Sequence, residues 1–207
     1  MGRPLRDTTS VVHWGVATLA LAGQRESGDL HLVVPVEDGV LVAVVDGLGH
    51  GEDAAAAAKL AVHTLERFAD EPPLSLVQRC HAALRGTRGV VMSLARFDAH
   101  RGAMTWLGVG NVEGYLHHAQ WADRSGRASL VTRGGIVGSD LPAVQAAVVP
   151  VEPGDTLVLA TDGIRSGFAD DITIGDEPQR LADEALSRYG KGTDDALVLV
   201  ARYLGRK

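Results

Sequence analysis

Three times in this chain an apolar stretch and an aspartate meet among small residues. Val40–Val45 runs into Asp46-Gly47-Leu48-Gly49-His50-Gly51. Thr156–Ala160 runs into Thr161-Asp162-Gly163-Ile164. Gly190-Lys191-Gly192-Thr193-Asp194-Asp195 leads into Ala196–Tyr203. An apolar run of five to eight residues reads as a buried strand, so each junction places a carboxylate at a sheet edge. Glycine beside it lets the chain turn and lets other groups approach the backbone closely. After the first junction an alanine-rich helix begins at about Asp53, and its N-terminus brings free N–H donors and partial positive charge beside Asp46.

Strand, Gly-rich turn and helix also describe nucleotide-binding loops. The dinucleotide pattern G-x-G-x-x-G fails here. Counting from Gly47, Asp53 stands near the place of the third glycine and no glycine completes the pattern. The phosphate-loop pattern fails because no Gly-Lys-Ser/Thr follows.

The remaining elements follow from period and punctuation. Val11–Leu21, Asp29–Val36 and Val40–Val45 read as a three-strand meander, with Glu37-Asp38-Gly39 as a tight primed turn. Asp29 lies nine residues before position 38 and Asp46 eight after it, so both carboxylates fall at one sheet edge. Asp53–Phe68 reads as a helix, with Leu60, Val62, Leu65 and Phe68 near helical spacing. Pro72-Pro73 ends it, and Leu74–Arg85 reads as a second helix buried through Leu74, Val77, Ala82 and Leu84. Gly89–Phe97, Ala103–Leu107, Val112–His117, Ser129–Thr132, Ala146–Val151, Thr156–Ala160 and Ala196–Tyr203 read as strands. Gly108-Val109-Gly110-Asn111 interrupts the pattern, and Glu177–Tyr189 reads as an amphipathic helix. Two successive helices between runs of strands do not form alternating βαβ units. They point to an α+β fold with helices on the faces of antiparallel sheets. The His117-His118 pair reads as strand-end surface, because adjacent strand residues point to opposite faces.

Composition limits the partners. A formal charge of −6 and the lack of a basic, aromatic-interleaved cluster argue against nucleic acid. No apolar run approaches the ~20 residues that span a bilayer, so no membrane role is expected. Met1–Ser10 is polar and does not read as a signal peptide, and Arg6 spoils the myristoylation pattern after Gly2. Cys80 is the single cysteine, which excludes an internal disulfide and suggests a reducing, cytoplasmic setting. The length fits one domain, and no linker or repeat is visible.

Carboxylates drawn together repel, so either one protonates or a cation neutralises them. Asp46, Asp162 and Asp194, with Asp29 as a fourth and no histidine or cysteine at ligand spacing, favour a hard cation such as Mg²⁺ or Mn²⁺ over zinc. Two such ions about 3.5–4 Å apart can hold a bridging water and aim it at phosphorus. Each Asp-Gly taken alone is as readily an ordinary turn.

The three motifs, in this order, resemble those of the metal-dependent protein phosphatase family (PPM, protein phosphatase 2C-like), and most closely its bacterial SpoIIE/RsbU/RsbX branch. Gly28-Asp29 resembles that branch's early Gly-Asp motif, and Gly108-Val109-Gly110-Asn111-Val112-Glu113 resembles the RsbX type. The resemblance covers roughly residues 10–203. It implies a four-layer αββα sandwich, a single phosphatase domain over 1–207 and two Mn²⁺ or Mg²⁺ ions at one end of the sheets. By motif, Asp46 bridges both metals and Gly47 gives a carbonyl ligand. Asp162, Asp194 and Asp29 complete the site, and the metal-activated water attacks the phosphorus. The implied substrates are phosphoserine and phosphothreonine proteins, and for RsbX-type members phosphorylated STAS-domain proteins of the stressosome, in a pathway controlling a stress sigma factor.

The chain departs from the family at two places. Leu48 stands where eukaryotic members carry a histidine after Asp-Gly, and Leu197 stands where a threonine is usual. His50 and Arg25 are candidate substrate contacts. The alternatives are a structural His50, whose protonated form would oppose the helix dipole, and a solvated turn Arg25. Arg133 and Arg165 are similarly open. A catalytically silent binding module of the same fold and a nucleotide-binding protein are the competing readings. The second helix and the polar loop Trp121–Arg127 are the candidate docking surfaces.

Overall fold

The computed structural model describes residues 11–120, 127–173 and 175–205. In chain order the elements are β1 (Val12–Leu19), β2 (Asp29–Val36), β3 (Gly39–Gly47), α1 (Glu52–Arg67), α2 (Pro73–Ala83), β4 (Val90–Asp98), β5 (Ala103–Val109), β6 (Glu113–His117), β7 (Arg127–Leu130), β8 (Ala147–Pro150), β9 (Thr156–Ala160), α3 (Pro178–Tyr189) and β10 (Ala196–Tyr203). The polar loop singled out above falls, over residues 121–126, outside the described residues, as does the segment 1–10.

The strands form two five-stranded antiparallel sheets, ordered β1-β10-β9-β6-β7 and β2-β3-β4-β5-β8. Strand parity builds the layers. In β3, Val40, Val42 and Val44 face the second sheet together with Leu197, Leu199, Leu157 and Leu159. Leu41, Ala43 and Val45 face the opposite way, against Ala57, Ala58, Ala61 and Leu65 of α1 and Leu76, Val77 and Cys80 of α2. Val158, Ala160, Val198 and Val200 pack against Leu181, Ala182 and Ala185 of α3. The result is the expected four-layer αββα sandwich, helix pair, sheet, sheet, helix. Successive side chains of a strand take opposite faces, so a strand segment buried on both sides must be apolar, as Val40–Val45 of β3, Leu157–Ala160 of β9 and Ala196–Ala201 of β10 are.

Several expectations are corrected. β1 does not join a meander with β2. It pairs along its whole length with β10, Val12 opposite Tyr203 through Leu19 opposite Ala196, in the other sheet. The nine residues between Leu19 and Asp29 carry no tight-turn signal, and they cross from one sheet to the other. The β2–β3 hairpin is as read, but it is not a primed turn with two positive φ values. Of its two loop residues only Asp38 has positive φ, 67°. Gly39 is needed for room, since a Cβ there would lie 1.7 Å from the carbonyl oxygen of Phe97. α1 buries its alanines, Ala54, Ala55, Ala57, Ala58 and Ala61, with Leu65; Leu60, Val62 and Phe68 lie only partly covered at its flank. Small side chains let the helix lie close to the sheet. α2 buries Leu76, Val77 and Cys80, and Leu74 is exposed. His117 is not surface. It is buried and its Nε2 finds no partner, so burial and Arg127 depress its pKa to about 4. His118 points the other way, to Asp155 at 2.9 Å.

Candidate metal and phosphate site

The site forms at one end of the sandwich, where β3, β9 and β10 end or begin. Asp46 continues the even-numbered face of β3 and so points toward the gap between the sheets. Asp29 is its direct cross-strand partner, as the hairpin symmetry predicts. Like charges directly opposite on neighbouring strands destabilise a sheet, and nothing in the sheet itself offsets this pair. Asp29 is buried, and its Oδ2 accepts a hydrogen bond from Thr161 Oγ1 at 2.7 Å. That hydroxyl also accepts the Leu197 N–H at 2.9 Å, tying the ends of β9 and β10 to β2.

Asp46, Asp162 and Asp194 line an open cleft of about 520 Å³, together with Leu48, His50 and Asn111. Asp162 Oδ2 accepts a hydrogen bond from Asn111 Nδ2 at 2.9 Å. Asp194 Oδ1 accepts the Asp195 N–H at 2.9 Å. Asp195 is buried and points inward, its two oxygens taking the N–H groups of Leu21 (2.8 Å) and Gly28 (2.7 Å). It therefore clamps the crossover between β1 and β2 onto the start of β10. Gly28 in turn accepts the Gly47 N–H at 3.0 Å.

The glycines beside the aspartates act by close approach. A Cβ on Gly47 would sit 2.2 Å from the Ala54 carbonyl oxygen, and one on Gly163 would sit 1.9 Å from that of Asp195. Gly49 and Gly51, with φ of 86° and 80°, turn the chain into α1.

The electrostatics are those of crowded acids. Burial, then Asp29, Asp162, Asp194 and Asp195, push Asp46 up to about 8. Burial raises Asp29 to about 7, with the Thr161 hydroxyl pulling down and Asp195, Asp162 and Asp194 pushing up. Every charged group that shifts these two is another carboxylate. Hard oxygen donors with uncompensated charge suit a hard divalent cation. Among the described residues, no three His, Cys, Asp or Glu side chains stand close enough to make a ready cage. Asp162 and Asp194 are held by Asn111 and by the Asp195 backbone instead.

Of the residues singled out in the sequence, Asp46, Asp162, Asp194 and His50 share the cleft, and Asp29 and Gly47 lie buried beside it. His50 is exposed, with Nδ1 3.4 Å from Gln24 Nε2. Arg25 is exposed on the crossover and is not among the lining residues. Arg133 and Arg165 are exposed beside the cleft's loops. Asn111, Thr161, Asp195 and Lys191 had no assigned role in the sequence. All four stand inside the stretches singled out in the sequence, and that is their only signal there.

The family model described as Stage II sporulation protein E (SpoIIE) matches residues 37–204. The chain belongs to the SpoIIE family of PPM-type phosphatases. Phosphoserine phosphatase RsbX of Bacillus subtilis (strain 168) is 25% identical over 143 residues, 69% of this chain and 69% of that protein. A chain from a structure of the bacterial stressosome, a modular system adapted to control secondary messenger signalling, superposes with a TM-score of 0.82. It is 32% identical and the match covers 92% of this chain and 99% of that one. RsbX crystallised with magnesium gives a TM-score of 0.81 at 22% identity, over 93% of this chain and 95% of that one, which speaks for the fold. As a member of this family the chain is a protein phosphatase of the serine/threonine type.

Proposed function

We propose that this SpoIIE-family phosphatase removes phosphate from phosphoserine and phosphothreonine of STAS-domain regulators in a stressosome-type complex, upstream of a sigma factor and in the cytoplasm. The observation that carries the reading is the joining of the Asp29–Asp46 cross-strand pair to Asp162 and Asp194 at one open cleft. The similarity to RsbX, a phosphoserine phosphatase, and to a 32%-identical chain from a structure of the bacterial stressosome supports the choice of substrate. Residues 1–207, with a core at about 10–203, are taken to act as one phosphatase domain.

Asp46, Asp162, Asp194 and Asp29, with the Gly47 carbonyl, would hold two Mn²⁺ or Mg²⁺ ions. When bound, such ions neutralise the carboxylates, polarise the phosphoryl group and supply an activated water for in-line attack. The chain's own part is positional. Asn111 holds Asp162 toward the cleft, Thr161 fixes Asp29, and the Asp195 clamp sets the loop that carries Asp29. The crossover carrying Arg25 and the exposed His50 flank the entrance.

Among the described residues no helix is long and apolar enough to cross a membrane. The silent binding-module reading has one observation in its favour, the lack of a ready metal cage among the described residues. A single experiment separates the two. Hydrolysis of a serine-phosphorylated STAS-domain protein is compared with that of an aryl phosphate, each with Mn²⁺ or with EDTA. The expected result is metal-dependent turnover of both, faster on the protein, and lost in Asp46→Ala. Docking of the phosphoprotein with no turnover under any metal supports the binding module.

A further inference from the structure

Lys191 sits on the loop between α3 and β10, three residues before Asp194. Its backbone N–H donates to the Gly163 carbonyl at 2.9 Å. Its ammonium donates to the carbonyl oxygen of Asp162, and Ile164 and Gly190 bridge the two loops. Main chain and side chain together therefore bracket the Asp162–Gly163 peptide, and Asp162 lines the cleft. An ammonium has three donors, and this carbonyl uses one.

Several other cations on neighbouring elements are paired, while Arg25 and Arg133 are exposed on loops and, unlike Lys191, are not tied among the described residues by a side-chain hydrogen bond to a cleft residue. Lys59 meets Glu26, Arg88 meets Asp53, Arg127 meets Asp170, and Arg180 meets Asp176 and Glu184. Arg165 spends its guanidinium on the carbonyl of Arg188. Lys191 is exposed, and among the described residues it has no carboxylate partner at ion-pair distance. A cleft walled by Asp46, Asp162 and Asp194 presents negative potential to an incoming phosphomonoester, in a chain already at −6. A cation held at the edge, just outside the lining residues, offsets part of that negative potential and draws the anion in.

We propose that Lys191 is a substrate-binding residue, receiving the phosphate of a phosphoserine or phosphothreonine side chain at the rim of the cleft beside Asp162. The inference rests on the phosphatase reading above and adds a contact outside the carboxylate set. The ammonium is held ready by the Asp162 carbonyl and turns its free donors to the phosphate oxygens. Arginine at this position keeps the charge, and glutamine keeps the length and a donor without the charge.

The test compares the full chain with Lys191→Gln and Lys191→Arg, all loaded with Mg²⁺. Binding of inorganic phosphate is read by calorimetry, and steady-state kinetics are read on a phosphoserine peptide across a salt series. Lys191→Gln is expected to weaken phosphate binding and raise KM about five- to tenfold, with kcat changed less than about threefold. Its KM should lose most of the salt dependence seen in the unmodified protein, and Lys191→Arg should recover most of the affinity. Unchanged phosphate affinity and KM in Lys191→Gln overturn the proposal. A lower melting temperature and lower kcat at constant KM also overturn it, marking Lys191 as a mere staple between loops. Absence of hydrolysis in every protein counts against the phosphatase reading alone, because the phosphate titrations still rank the three proteins. Absence of phosphate binding by the unmodified protein counts against Lys191.

Discussion

Asp29 and Asp46 set the electrostatics of the carboxylate end. Both titrate well above the ordinary carboxylate value of 3.8, at about 7 and about 8, because they are buried and face other acids. The folded chain therefore holds their protons more tightly than the unfolded chain does. That contribution to stability is complete below about pH 4 and is lost as the pH rises through 7 to 8. The metal-free protein should lose stability between pH 5 and about pH 8, by about 2–3 kcal/mol per pH unit while both acids titrate, and melt at correspondingly lower temperature. Saturating Mg²⁺ should remove this slope, and a thermal-melt series at fixed ionic strength reads both. Asn111→Ala leaves Asp162 without its 2.9 Å donor. The concentration of Mn²⁺ needed for half-maximal activity should rise roughly tenfold, as for other groups that orient ligands, with the melting temperature nearly unchanged. At this scale the aspartates at strand ends were readable, because an apolar run followed by Asp-Gly is a local pattern. Asn111 and Lys191 were not, since they meet Asp162 across separations of 51 and 29 residues. Asp195 was readable only as part of a motif; its inward turn to Leu21 and Gly28 depends on a crossover that local sequence does not reveal.

The β3–α1 unit depends on the close approach of a strand end to a helix. Gly47 and the alanine face of α1 belong together, because a Cβ on Gly47 would lie 2.2 Å from the Ala54 carbonyl oxygen. Gly47→Ala should destabilise the protein by about 1–3 kcal/mol through overpacking and displace the Asp46 carboxylate. Chemical denaturation measures the first effect, and calorimetric titration with Mn²⁺ measures the second as weakened binding. Element by element, β2, β9 and β10 match their expected spans, because each is a short, strongly apolar run with clear punctuation. The burial face of α1 differs from the one that hydrophobic spacing predicts, since that spacing marks large residues and this helix buries mainly alanines. In and just after α2 the expected Val77 and Leu84 are buried, whereas Leu74 and Ala82 are exposed and Leu76 and Cys80 make the contact instead.

The whole molecule brings the ends of two sheets together, and the site exists only because both sheets contribute. Asp29 and Asp46 come from one sheet, and Asp162 and Asp194 come from strand ends of the other. The layer count was expected from the family resemblance, whereas the pairing of β1 with β10 was hidden from local pattern. Adjacent strands in sequence commonly pair, and here a nine-residue crossover held by Asp195 overrides that tendency. The account stands on the carboxylate end acting as a metal-dependent phosphatase centre. Its most direct test is the initial rate of phosphoserine-peptide hydrolysis by the full chain with Mn²⁺, with EDTA, and in Asp46→Asn shown by circular dichroism to be folded. The account predicts turnover with Mn²⁺ and a loss of at least about a hundredfold both in EDTA and in the variant. Hydrolysis that survives EDTA, or that persists in folded Asp46→Asn, would contradict it.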